Sequence, residues 1–408
     1  MNSHIKRNIL ATYTSDLILG TYFQLPIWIV YQSKFLSFSQ IAFFSGLSLI
    51  TEVISQLPTG AFADLVGRRY ALSLGNLFMA IPMFLIAFYP KPEIMVIYSI
   101  MWGLGRAFCM GTSKPVLYET LSTYDKTRMY PKILSRSVII FQLSAAISIV
   151  AGGYLYLLQS NLPYILSGFA SLIGVFTAFI FVEKRIINVS SRLLQFINTS
   201  KAGFFEIFKN SYVSKLTILY ALTLGIAQTS QQFFMQPFML ELGLSDIARS
   251  WTAMIIKISI ALIGAKLLAT TKIFNSKYFL LIIPILLVIS LLPAGLVTLP
   301  WAYLVFIGIA FNSGNTDLFL SAEINAHLTS TVRSTSVSIQ RMLASSFGAI
   351  IQWLSIVPIA MSGVGTYYSY LGIFALLVIL PLGRSLAIHK HRYNQQALST
   401  LELQPIQK

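Results

Sequence analysis

The chain is a succession of long apolar runs, each bounded by a short polar or charged stretch. Windows of spanning length fall at roughly 8–31, 39–61, 70–89, 93–118, 133–158, 162–183, 213–240, 247–270, 278–296, 299–323, 334–359 and 364–384. Crossing the hydrocarbon core takes about 20 mostly apolar residues. None of these runs alternates with period two, so they predict helices and not the strands of an outer-membrane barrel. The pattern predicts an all-α polytopic membrane protein, with spans numbered 1 to 12 in chain order.

Composition agrees. The 408 residues are 56% hydrophobic and only 10% charged, with a mean hydropathy of +0.73, whereas a soluble domain carries roughly a quarter charged residues. The net charge of +16 raises the question of a nucleic-acid partner, and its placement answers it. Lys6, Arg7, Arg68, Arg69, Lys126, Arg128, Lys132, Lys184, Arg185 and most later basic residues fall on one side of the predicted spans. Lys34, Lys91 and Arg249 fall on the other. That asymmetry is the positive-inside pattern, which predicts both termini in the cytoplasm and no nucleic-acid partner.

Several classes drop out on chemistry. The first apolar run lacks a small-residue cleavage site, so no cleavable signal peptide is expected. Cys109 is the single cysteine, which rules out an internal disulfide. His4, His327, His389 and His391 lie at ends or in loops and predict no metal site, and the sequons at Asn188 and Asn198 fall in a cytoplasmic loop. No Walker loop or nucleophile elbow occurs, so an enzyme or an ATP-driven pump has no support. The expectation is no cofactor, with a proton or other ion gradient as energy source. Short loops and tails point to a bacterial inner (plasma) membrane and a monomer.

The longest polar loop, 184–214, divides the chain into two six-span bundles, 1–183 and 215–408. The halves echo each other. "AFCMGTSK" (107–114) in span 4 returns as "AFNSGNTD" (310–317) in span 10, and "SRSVII" (135–140) as "STSVSI" (334–339). "YFQLPI" in span 1 corresponds to "FFMQPF" in span 7. Two parallel repeats of this kind are a transporter architecture.

Between spans 2 and 3 stands "GAFADLVGRR", which reads Gly60-x-x-x-Asp64-x-x-Gly67-Arg68-Arg69. In spacing, loop and side of the membrane it resembles the signature loop of the major facilitator superfamily. The resemblance covers the whole chain in topology and this loop in motif; the equivalent second-half loop, "LLATTKIFNSKYF", lacks the glycines and the acid. It implies two pseudo-symmetric six-helix bundles with spans 1, 4, 7 and 10 lining a cavity. Glycines at 60 and 67 would permit a tight turn, and Asp64 would accept from a helix N-terminus or an arginine, forming a conformational latch. The alternative is that Arg68 and Arg69 only set topology. The efflux branch is matched incompletely. Arg106 is followed by Met110, with Gly111 one place late, and Gly152-Gly153 is preceded by Ser148-Ile149 where Gly-Pro would stand.

Charges inside spans are expensive and mark function by default. Asp16, Glu52, Arg106, Lys114, Lys257 and Asp317 are the candidates for proton coupling or a substrate cavity, with Lys266 near a helix end. Asp16 could pair with Arg106, and Lys114 could face Asp317, its repeat equivalent. Glu119 and Glu323 should partner loop arginines. Gln228, Gln232 and Gln236 share one face of a regular helix, so with Gln24, Asn312 and Asn315 they predict either a polar cavity or hydrogen-bonded packing. Together these features imply secondary-active transport of a small organic solute, with export of a drug-like compound or self-made metabolite ahead of uptake of a polar nutrient or siderophore. A non-transporting relative, receptor or lipid scramblase, is the alternative of a different class.

Overall fold

The structure is a computed structural model. It describes residues 3–110, 112–183, 203–269, 278–328 and 333–390, without the side chains at 57, 260–269, 318, 326 and 333–335. Every described regular element is helical. The loop 184–202, with both sequons, and the second-half loop at 270–277 lie outside the described residues, as do Gly111, His391 and the Lys266 side chain.

Helical elements coincide with all twelve predicted spans, and the irregularities have local causes. Span 1, predicted as continuous, is α1 (Ser3–Gly20) followed by α2 (Trp28–Gln32). Pro26 lies in the break, where it cannot donate to the helix ladder. Span 2 is α3 (Phe38–Val66), opened by a capping box in which Ser37 and Gln40 satisfy each other's backbone N–H groups. Span 3 is α4 (Arg68–Phe88). Span 4, predicted as a single helix, is divided into α5 (Ile94–Cys109) and α6 (Ser113–Thr123). Spans 5 and 6 are α7 (Tyr130–Leu158) and α8 (Leu162–Thr177), each with proline in its first turn.

In the second half, span 7 runs as α9 (Ser211–Thr229), a π-helical turn Ser230–Phe234, and α10 (Met235–Glu241). Then come α11 (Asp246–Ala269), α12 (Phe279–Leu291), α13 (Ala302–Ala326), α14 (Arg333–Leu354) and α15 (Ile356–Phe374). Gly363, at φ 81°, marks the turn between spans 11 and 12. By length and composition, Phe38–Gln56, Arg68–Phe88, Ile94–Thr123, Thr127–Leu158, Leu162–Ile180 and Ile356–Lys390 can each cross a membrane. Large apolar side chains point outward along them, with Ile147 68% and Leu158 79% exposed. That surface suits lipid and not water.

The chain forms two compact units. Unit 1 comprises Met1–Asn198, Gln236–Ile258 and Ala349–Ala360; unit 2 comprises Thr199–Met235, Ser259–Gly348 and Met361–Lys408. In unit 1, α4 packs on α5 and α8, α3 on α5, and α1 on α7. Asn8, fully buried, donates to Thr120 Oγ1 at 2.7 Å and to the Val182 carbonyl at 2.9 Å, tying α1 to the ends of spans 4 and 6. In unit 2, α13 packs against both α9 and α12.

Candidate functional site

The predicted latch is a helix junction, not a loop. α3 continues through Val66, so Gly60 lies inside the helix and only Gly67, at φ 122°, takes the conformation that favours glycine. A tight turn at Gly60 is therefore incorrect, because the apolar run carries the helix one turn further. Asp64 sits in the last turn of α3, where the helix dipole disfavours an anion, and Arg68 answers it at 3.4 Å. The same guanidinium reaches Glu119 at 2.9 Å. Glu183, just past the span Leu162–Ile180, accepts from the Arg69 backbone N–H at 3.1 Å. An acid at the N-terminus of α4 is favourably placed. Burial pushes the Glu183 carboxyl above its usual range, and the Arg69 amide bond offsets part of that push.

Asp16 is buried in α1 and accepts a hydrogen bond from Ser137 of α7. Its expected partner, Arg106, is engaged elsewhere: Arg106 Nε donates to Glu52 Oε2 at 2.8 Å, joining spans 4 and 2. Asp16 is therefore held by span 5 and not by span 4. Lys114 is exposed at the start of α6. Lys257, mid-way along α11, has its ammonium 5.4 Å from the centre of the Phe141 ring. A cation at mid-bilayer costs roughly 3 kcal/mol, and a ring contact offsets about 0.5–2 kcal/mol of that.

In unit 2, Asp317 is held by its own neighbours. Tyr220 of span 7 donates to Oδ1 at 2.6 Å, and Arg341 of span 11 donates to Oδ2 at 2.7 Å. A guanidinium from the next span thus neutralises the acid inside its own unit. Asn312 and Asn315 are buried in α13 with their amide nitrogens on the Gly308 and Phe311 carbonyls, and neither Oδ1 has a partner. Gln340 is fully buried, and neither of its amide atoms is bonded. Glu323 pairs with Lys390 at 2.6 Å and accepts from Tyr212 at 3.4 Å, in place of the expected loop arginine. Tyr212 lies between the rings of His327 and His389. Among the described residues no cluster of His, Cys, Asp or Glu could hold a metal ion.

The glutamine stripe does not survive as one face. The π turn inserts a residue between Gln228 and Gln236 and rotates the helix beyond it. Gln228 is half-buried, Gln232 exposed and Gln24 buried. Gln236 instead repairs the break in span 1: its Nε2 donates to the Leu25 carbonyl and its Oε1 accepts from Ile29 N–H at 3.4 Å. Thus Gln236, from "FFMQPF", meets "YFQLPI" at Leu25, both residues lying in unit 1.

A family model, Major Facilitator Superfamily, matches residues 10–352. The chain belongs to this superfamily. Two Bacillus subtilis (strain 168) proteins are similar to it: an uncharacterized MFS-type transporter, YxaM, at 24% identity over 54% of this chain and 55% of the relative, and Multidrug resistance protein 1, at 22% over 56% and 58%. The chain thus spans little more than half the length of the curated relatives it matches. The fold is shared with nucleoside transporter NupG, at TM-score 0.73 and 14% identity over 94% of this chain and 99% of that one. It is shared also with the D-xylose-proton symporter, at 0.71 and 14% over 92% and 97%. Membership in the superfamily places the chain among integral membrane transport proteins and not among enzymes, with a twelve-span fold.

Within that superfamily fold, the residues missed from sequence are the partners. Arg341 lies inside predicted span 11, and the criterion that singled out Arg106 applies to it equally. Tyr220, Ser137 and Asn8 are ordinary helix residues until a neighbouring helix supplies their partners. Glu183 follows the span Leu162–Ile180 and carries no motif.

Proposed function

We propose that this protein is a secondary-active transporter that exports a small organic solute, a drug-like compound or self-made metabolite, by alternating access in exchange for protons. The two halves, 1–183 and 215–408, joined by 184–214, are the bodies that rock. The observation that carries the reading is a mid-span acid in each unit held by a polar or cationic partner: Asp16 by Ser137, and Asp317 by Arg341 and Tyr220. A carboxyl that gains and loses a proton as its cation withdraws and returns couples a gradient to a conformational change. Export is further supported by the relative named for multidrug resistance.

The test is an untargeted comparison of small molecules inside and outside cells with and without the gene, followed by flux of the affected compound in proteoliposomes under a pH gradient. Saturable, gradient-dependent outward flux supports the proposal. Lipid movement without a gradient would replace it with a scramblase.

A further inference from the structure

The connection from α6 to α7 and the first turns of α7 carry Lys126, Arg128, Lys132 and Arg136. All four are exposed, and among the described residues none makes an ion pair or a side-chain hydrogen bond. The acids near this end do not match them. Asp64 and Glu119 are both engaged by Arg68, and Glu183 accepts from the Arg69 backbone. Asp125 is a single exposed carboxylate, and α7 contains no acid. Lys6 and Arg7 add to the excess: Ile5 packs with Leu117, Leu121 and Ile133, which seats the start of α1 beside α6 and α7.

The cations of α7 lead into an apolar row. Lys132, Arg136, Ile139, Leu143 and Ile147 follow one another at steps of three or four, which keeps all five on one face of the helix. The three apolar members are 54%, 55% and 68% exposed. Thr127–Leu158 is long and apolar enough to cross a membrane, so that row suits acyl chains. Tyr130, at the start of α7, meets Tyr118 edge-on, and such rings sit at headgroup level. At 1.5 Å per residue Arg136 lies about 9 Å further along the axis. A charge at that depth beside lipid calls for an anion or a reach back to water.

We infer that this face of α7 binds an anionic phospholipid, with the phosphate between Lys132 and Arg136 and an acyl chain along Ile139, Leu143 and Ile147. Charge complementarity selects the headgroup. Arg136 offers a planar fork that takes two phosphate oxygens, and Lys126, Arg128 and Lys132 raise the positive potential around it. The apolar row selects a lipid over a free anion, because inorganic phosphate has nothing to lay along it. Cations that only set topology need the correct side of the membrane, not a shared face with an exposed apolar row.

Two measurements on the full-length protein test it. In the first, the thermal midpoint in an uncharged detergent is followed as phosphatidylglycerol is added. Wild-type should gain stability, as a ligand of the folded state confers. The double variant Lys132→Gln/Arg136→Gln should need roughly thirtyfold more lipid, about fivefold per lost charge. Lys132→Arg/Arg136→Lys should stay close to wild-type. Lys209→Gln/Lys215→Gln, which removes as much exposed charge from unit 2, should also behave as wild-type. No rise in wild-type, or an equal rise with phosphatidylcholine, overturns the inference. So does an equal weakening in the unit 2 variant, which would mean diffuse attraction, or a full rise with inorganic phosphate, which would mean a free-anion site. In the second, the protein is placed in phosphatidylcholine vesicles containing a phosphatidylglycerol with a photoreactive acyl chain, and adducts are mapped by peptide. The share of adducts at 139–147 should fall in Lys132→Gln/Arg136→Gln; an unchanged share removes the acyl chain from this row and sinks the proposal.

Discussion

In unit 1 the mid-span acid, Asp16, accepts from the hydroxyl of Ser137, while Lys114 is exposed and Lys257 stands on an aromatic ring. In unit 2 the acid, Asp317, is clamped between a guanidinium at 2.7 Å and a phenol at 2.6 Å. The internal repeat relates Lys114 to Asp317, so the sign of the charge on span 4 is reversed on span 10. Each unit then supplies the opposite sign from another helix, α1 in unit 1 and α14 in unit 2. The comparison teaches that the repeat preserves the site and not the residue. Among the described residues Asp16 makes no ion pair and is held by a hydroxyl, whereas Asp317 sits in a closed ion pair.

The largest effect expected from breaking the comparison is loss of coupling. Asp16→Asn and Asp317→Asn should both abolish pH-gradient-driven accumulation while leaving counterflow exchange partly active, as flux in proteoliposomes would show. Their stabilities should differ. In Asp16→Asn the new amide oxygen can still accept from Ser137, but Asp317→Asn leaves Arg341 unmatched, at a cost of about 1 kcal/mol because both groups are partly exposed. Arg341→Gln added to Asp317→Asn should recover that loss. Wild-type accumulation in both single variants would make these acids structural.

The Glu52–Arg106 pair comes next. Glu52 is only 5% exposed at its side chain and Arg106 39%, so a double-mutant cycle with Glu52→Gln and Arg106→Gln should give a coupling of about 1–2 kcal/mol. A coupling near zero would mean the pair is broken in the resting protein.

A smaller effect is expected at the junction. Asp64→Asn keeps the side-chain volume, so insertion and folding should persist while transport slows several-fold, since the Arg68 contact bridges α3 and α4. Undiminished rates would reduce the motif to a marker of topology. The smallest effect concerns Glu183. Its carboxyl is raised in the fold by burial, so ionisation is harder folded than unfolded, and its stabilising contribution is present at low pH and lost as pH rises past the ordinary carboxylate range. Glu183→Gln should flatten the dependence of thermal midpoint on pH just above the ordinary carboxylate range. An unchanged dependence places the effect in other carboxyls.

The apolar runs determined the helices, because a chain in lipid must satisfy its backbone within each segment and has no other way to do so. The residues 60–69 likewise pointed to the family, and at the junction itself Gly67, Asp64 and Arg68 meet a local requirement of two helices that join end to end. Where a helix breaks was legible only in part. Pro26 announces the break in span 1, but the π turn at 230–234 depends on how α9 and α10 meet their neighbours. Asp64 and Arg68, four residues apart, were legible as a pair, but the pairing of charges inside the spans was not. Asp16, Glu52, Arg106 and Asp317 announce themselves by standing in apolar helices, yet which of them meet is decided by how each helix is rotated and placed. Arg106 turns to Glu52 and not to Asp16, and Asp317 finds Arg341 and Tyr220, because side chains far apart in the chain become neighbours only through tertiary packing. Gln236 is the clearest case: its amide serves the backbone left unpaired near Pro26, a need that exists only once span 1 has broken beside it.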